Sequence, residues 1–143
     1  MNLLNTTKII SMIKKSKSPK VITDTEAITE FVPHQYLKEL IHEKGLTEQQ
    51  IILSLCLERS YAYRIFNGKR KPTRNILLHI AIQLGLSLNE TQRLLRAFGR
   101  VELYPHIRFD AAMIYAIEHG YDLLKTDELL QQIGEPSLIK NAN

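Results

Sequence analysis

The segment GLTEQQIILSLCLERSYAYRIFNGKRKPT, residues 45–73, contains two short runs of apolar residues at helical spacing with a break near Cys56 and Leu57. Thr47 opens the first run. Its hydroxyl is placed to accept from the amide three residues on, while Gln50 reaches back to the Thr47 amide, a capping box that predicts a helix start. The second run spans about residues 58–66 and stops at Asn67-Gly68. With Leu57, Ala62 and Ile65 turned inward, a 3.6-residue period leaves Arg59, Ser60, Tyr63 and Arg64 on the opposite, exposed face. Lys69, Arg70 and Lys71 follow at once, so this stretch presents a basic, aromatic surface suited to an acidic partner.

Working outward, the same periodicity continues in both directions, and no segment alternates long enough to predict a strand. Upstream, PHQYLKELIHEKG places Tyr36, Leu37, Leu40 and Ile41 on one helix face and ends at Gly45. Residues 5–15 predict a short amphipathic helix, and KSKSPKVITDTEAITE after it reads as a polar, Pro-broken arm or linker. Downstream, Thr73 is a natural N-cap for RNILLHIAIQL, which ends at Gly85, with His79 expected to be partly buried. Ser87 and Glu90 form a second capping box for a helix ending at Gly99. Shifting the chain by 35 residues lays AIQLGLSLNETQRLLRAFG (81–99) on AIEHGYDLLKTDELLQQIG (116–134), with Ala81, Ile82, Gly85, Leu88, Thr91, Leu94, Leu95 and Gly99 meeting identical residues. Helix, glycine and capped helix, twice over, predict two hairpins stacked on a shared core. The fold expected is all helical.

Composition agrees with an ordinary globular chain. There are 143 residues, 44% of them hydrophobic and 24% charged, enough to bury a core without crosslinks. The net charge of +4 and pI near 9.2 favour polyanions only weakly, and the distribution is more telling. Arg59, Arg64, Lys69, Arg70, Lys71 and Arg74 lie in a stretch without acids, whereas 110–135 carries Asp110, Glu118, Asp122, Asp127, Glu128 and Glu135 against Lys125 alone. Arg93, Arg96 and Arg100 form a further basic row at helical spacing. A single cysteine, Cys56, rules out an intrachain disulfide and fits a reducing compartment. The N-terminus lacks the pattern of a secretory signal, and no apolar run approaches the about 18 residues of a membrane span, so a cytoplasmic chain with no membrane partner is expected.

Two helices joined by a three- or four-residue turn, the second basic and aromatic, are the pattern of a DNA-binding helix-turn-helix. Residues 45–73 resemble, without a gap, the helix-turn-helix of the lambda-repressor-like regulators of the Cro/C1 (XRE) type. The shared features are the Gly-Leu-Thr start, the Arg-Ser-Tyr entry to the second helix, the Arg-Ile pair, and Asn-Gly-Lys-Arg-Lys-Pro followed by a hydroxyl residue. The likeness runs from about residue 33 to 98. It implies a sequence-specific transcriptional regulator of a bacterium or phage that binds double-stranded DNA as a homodimer. It also implies that Arg59, Ser60, Tyr63 and Arg64 read bases, and that Asn67, Lys69, Arg70, Lys71 and Arg74 hold the phosphate backbone. The sequence departs from the family in five places. Cys56 stands where a turn glycine is usual, Ile52 where a small residue is, and Phe66 where a glutamate is frequent. Glu48 and Glu58 occupy helix starts where phosphate donors are common.

Chemistry of other kinds finds no pattern. Lys69 follows Gly68, but Arg70 stands where a phosphate-binding loop needs Ser or Thr. His34, His42, His79, His106 and His119 are scattered, without an i,i+4 partner for zinc. No enzyme, metal or other cofactor is expected. The organisation expected is an N-terminal arm (1–32), a helix-turn-helix domain (33–98) and a C-terminal helical hairpin (99–143) that packs on the core and offers a surface for dimerisation or another protein. The competing reading is an interaction module, antitoxin-like or kinase-associated, that keeps the scaffold for protein binding, with Glu48 and Glu58 marking lost affinity for DNA.

Overall fold

A computed structural model of the chain describes residues 6–24 and 31–138. Among these residues every regular element is a helix. The chain forms two compact units, Met1–Val32 and Pro33–Asn143.

In the first unit, α1 (Thr6–Lys15) carries an apolar stripe of Ile9, Ile10, Met12 and Ile13 and ends on Lys14 and Lys15. Cations are favoured at that end by the helix dipole. Residue 5, the start of the expected helix, lies outside the described residues. A turn held by the Ser16 and Ser18 hydroxyls leads into α2 (Val21–Asp24), a single turn within a stretch read from sequence as irregular. Residues 25–30 of that expected linker also lie outside the described part.

The second unit starts with α3 (Pro33–Glu43), where proline suits a first helical position that needs no N–H. Tyr36, Leu37, Leu40 and Ile41 are its buried residues, the face predicted by periodicity. Then come α4 (Glu48–Leu55), α5 (Arg59–Phe66), α6 (Arg74–Leu84), α7 (Leu88–Ala97), α8 (Arg108–Glu118) and α9 (Leu123–Gln132). The predicted caps form. Thr47 with Gln50 and Ser87 with Glu90 make reciprocal capping boxes, and the Thr73 hydroxyl accepts from the Ile76 amide at 3.2 Å.

At the centre lies α6. Eight of its eleven residues are buried, and its polar stripe of Asn75, His79 and Gln83 meets Ser54 of α4 through His79 and Gln83. It packs against α4, α7 and α9, while α5 packs on α3 and α4, and α8 on α7 and α9. His79, expected half-buried, is fully enclosed. Its Nε2 lies 3.3 Å from the Ser54 hydroxyl of α4, which also donates to Gln83 Oε1, and its Nδ1 has no partner. Burial therefore holds the imidazole pKa below its usual value, because a second N–H would be charged and without an acceptor.

Equivalent hydrogen bonds recur at the 35-residue shift. The Leu86 amide donates to the Ala81 carbonyl at 3.0 Å, and that of Tyr121 to Ala116 at 2.9 Å. The buried Thr91 hydroxyl donates to the Ser87 carbonyl at 2.9 Å, and that of Thr126 to Asp122 at 2.7 Å. One ion pair ties the two halves. Arg74 Nη1 and Nη2 donate to Asp110 Oδ1 and Oδ2 at 2.9 and 2.8 Å, and Asp110 is buried. Arg74 also donates to the Val101 and Glu102 carbonyls at 2.9 and 3.1 Å, and Asp110 accepts from the Tyr104 amide at 2.9 Å.

Candidate nucleic-acid interface

The exposed face of α5 begins at its cap. Glu58 accepts from the Ser60 and Tyr61 amides, both at 3.1 Å, and from the Ser60 hydroxyl at 2.6 and 2.8 Å. The Ser60 hydroxyl bond first, then the two amides, hold the carboxyl below its usual pKa, so Glu58 is an anion at neutral pH. Its charge suits the positive end of the helix dipole and would repel a phosphate in the same place. Ser60 keeps only its acceptor lone pairs for an outside partner, because its one hydroxyl proton is committed to Glu58.

Ala62, Ile65 and Phe66 point into the core. Arg59, Tyr63 and Arg64 are exposed on the other side. The Tyr63 hydroxyl donates to Gln49 Oε1 at 3.3 Å, so the first turn of α4 joins this face. Gln49 has no local signature, since its place beside Tyr63 depends on how α4 and α5 cross. Tyr61 is half-buried, with the Arg70 guanidinium 5.1 Å from its ring centre, a cation–π contact.

The turn between α4 and α5 shows what the cysteine at position 56 costs. Cys56 is left-handed, with φ of 54°, a conformation that favours glycine and is unfavourable for other L-residues. Ile52 and Phe66, two further departures, are both buried. They fill the core and leave the exposed face unchanged.

After α5 the chain folds back. The Lys69 and Arg70 amides both donate to the Arg64 carbonyl, at 2.9 and 3.0 Å. Asn67 Oδ1 accepts from the Lys69 amide at 3.2 Å, which leaves the Asn67 amide group free to donate outward. Gly68 takes φ of 83° and lies so close to His34 that a Cβ would stand 2.5 Å from the imidazole Nδ1. A side chain there would need the His34 ring to shift and a left-handed backbone. Arg64, Lys69 and Arg70 are thus brought side by side, and Lys71 leans toward the end of α7 beside Gly99. Among the described residues no carboxylate lies within ion-pair distance of Arg59, Arg64, Lys69, Arg70 or Lys71.

Arg74, expected from the resemblance to hold phosphate, is engaged within the fold. Its guanidinium is committed to Asp110 and two carbonyls, so it clamps α6 to the 101–110 segment instead of facing outward. The basic row of Arg93, Arg96 and Arg100, which runs along α7 and just past its end, is divided in the same way. Arg100 donates to the Pro72 carbonyl at 3.1 and 2.8 Å, and Arg96 pairs with Glu102 at 2.6 Å.

No protein-family model, curated protein or solved structure matches the chain. The site therefore has to be judged on its own chemistry. Among the described residues no group of three or more His, Cys, Asp or Glu could hold a metal ion, and no helix is long and apolar enough to cross a membrane. Much of the acidity of 110–135 is in local use. Asp110 holds Arg74, Asp122 caps α9, Asp127 accepts from the Leu138 amide at 2.9 Å, and Glu135 lies 3.9 Å from Arg108. Only Glu118 and Glu128 of that stretch are exposed without such a contact.

Proposed function

We propose that the chain is a sequence-specific DNA-binding transcriptional regulator. On this reading α4 and α5 act as a helix-turn-helix, with α5 as the recognition helix. The observation that carries it is the set of cations on α5 and the following loop, Arg59, Arg64, Lys69, Arg70 and Lys71, which face outward with no carboxylate within ion-pair distance among the described residues, Glu58 at the cap being the nearest acid in sequence. Unpaired guanidinium groups in the first and second turns of a helix suit guanine O6 and N7, and loop cations suit phosphates. The left-handed Cys56 at the turn and the Tyr63–Gln49 contact between the helices support the same reading. The hydrogen bonds that recur 35 residues apart support treating α6–α7 and α8–α9 as repeated hairpins, the second completing the core of the first. A homodimer places two recognition helices one DNA turn apart, about 34–36 Å.

The anionic Glu58 at the start of α5 favours the second reading, an interaction module that binds another protein. The test is selection of duplexes from a random pool by the purified protein, followed by a salt series. Arg59→Ala is expected to lose about 1–3 kcal/mol at one base position, whereas Lys69→Ala weakens all sequences alike and reduces the salt slope by about 0.9. An empty selection at low salt sinks the DNA reading and leaves the interaction module.

A further inference from the structure

A cleft of about 190 Å³ opens where the start of α3, the end of α5 and the end of α7 meet. Its walls combine two kinds of chemistry. Ala97 and the edge of Phe98, backed by the buried Ile65, supply an apolar surface, while His34, Arg70 and Lys71 supply nitrogen donors, and no acid lines it. Neither Arg70 nor Lys71 has a carboxylate within ion-pair distance among the described residues.

The backbone of the walls is held in place. The His34 ring lies against Gly68, close enough that a Cβ would force it to shift. The loop is held at one end by the Arg64 carbonyl, which accepts from the Lys69 and Arg70 amides, and at the other by Arg100, which grips the Pro72 carbonyl. The Lys71 ammonium lies 3.3 Å from where a Cβ on Gly99 would stand, at the negative end of the α7 dipole. The loop backbone thus needs little further ordering, and the ordering cost of binding falls on the exposed Arg70 and Lys71 side chains.

We propose that this cleft is a binding site for a small anion carried on an aromatic ring. A cavity of about 150 Å³ holds a benzene ring, so one ring fits the space here. The ring would lie on Ala97 and the edge of Phe98, with Ile65 beneath them, and its carboxylate or phosphate would take charge-assisted bonds from Arg70 and Lys71. Both cations also belong to the proposed phosphate-contact set, so on the DNA-binding reading occupancy weakens duplex binding. Capture of the anion itself does not rest on that reading.

The test is an amide-resolved NMR titration of the full chain with benzoate and with phenyl phosphate. Benzyl alcohol serves as the ring without charge, and inorganic phosphate as the charge without a ring. Saturable shifts at Gly68, Lys71, Ala97 and Phe98 are expected with one or both ring anions, with benzyl alcohol at least about tenfold weaker, since one charged hydrogen bond is worth that factor or more, and inorganic phosphate about tenfold weaker for lack of the buried ring. Ala97→Leu fills the floor and is expected to abolish the shifts, while Lys71→Met keeps the chain length and weakens binding about tenfold. Shifts that do not saturate, equal binding by either control, or binding unchanged in Lys71→Met overturn the site. Lys71 is exposed, so that variant decides even if Ala97→Leu does not fold. A protein that binds the ring anion and no duplex keeps this site and loses the DNA reading.

Discussion

Asp110→Ala removes the carboxylate that Arg74 grips. Asp110 is only 1% exposed, while the Arg74 side chain retains 26%. Truncation leaves the guanidinium with two carbonyls, those of Val101 and Glu102, and leaves the Tyr104 amide without its acceptor. Removing one partner of a buried pair costs about 3–5 kcal/mol. Water that reaches the exposed quarter of Arg74 places this case at the lower end, about 3 kcal/mol, with about 1 kcal/mol more for the Tyr104 hydrogen bond. For a unit of this size the expected drop in Tm is roughly 12–16 °C. Urea and thermal unfolding followed by far-UV circular dichroism measure both quantities. The double variant Arg74→Met with Asp110→Leu removes both charges together and is expected to recover to within about 1 kcal/mol of the parent, because an apolar pair of similar volume can replace a buried ion pair. Its salt slope on duplex DNA is expected to equal the parent's, whereas a phosphate-contacting Arg74 would lower that slope by about 0.9. A loss below about 1 kcal/mol in Asp110→Ala is the behaviour of a surface pair and would refute the clamp.

Burial holds His79 below its ordinary pKa of 6.5, so the unfolded chain binds a proton that the folded chain refuses. Its contribution is complete above that pH and is lost as the pH falls toward the lower folded value; His79→Gln should flatten this slope, and identical slopes for parent and variant would contradict it. Cys56→Gly is expected to raise the urea midpoint by the equivalent of about 0.5–1 kcal/mol, since it relieves a left-handed residue at the cost of a more flexible unfolded chain. A lowered midpoint would show that the turn is not strained there. Glu48→Gln with Glu58→Ser keeps a polar cap on α5 and removes two anions near the candidate interface. Binding to random duplex is expected to tighten with a steeper salt dependence, and unchanged affinity would place both carboxylates away from the phosphates.

The features of the fold legible in the sequence are those made within one helical turn. The capping boxes at Thr47 and Ser87, the buried face of α3, and the inward Ala62 and Ile65 of α5 all depend on residues three or four apart, which helical geometry fixes before any tertiary contact exists. The same local geometry turns Arg59, Tyr63 and Arg64 outward, so the exposed basic face was readable too. Arg74 was not, because its partner Asp110 is 36 residues away and no local spacing announces the pair. Arg100 and Pro72, 28 residues apart, and the full enclosure of His79 under Ser54 and Gln83 are of the same kind. The cleft beneath Arg70 and Lys71 exists only because α3, α5 and α7 converge. Charge and periodicity in a sequence determine which side of each helix is apolar; which cations remain free for a partner is decided when separate helices bring carboxylates and carbonyls within hydrogen-bonding distance of some of them and of no others.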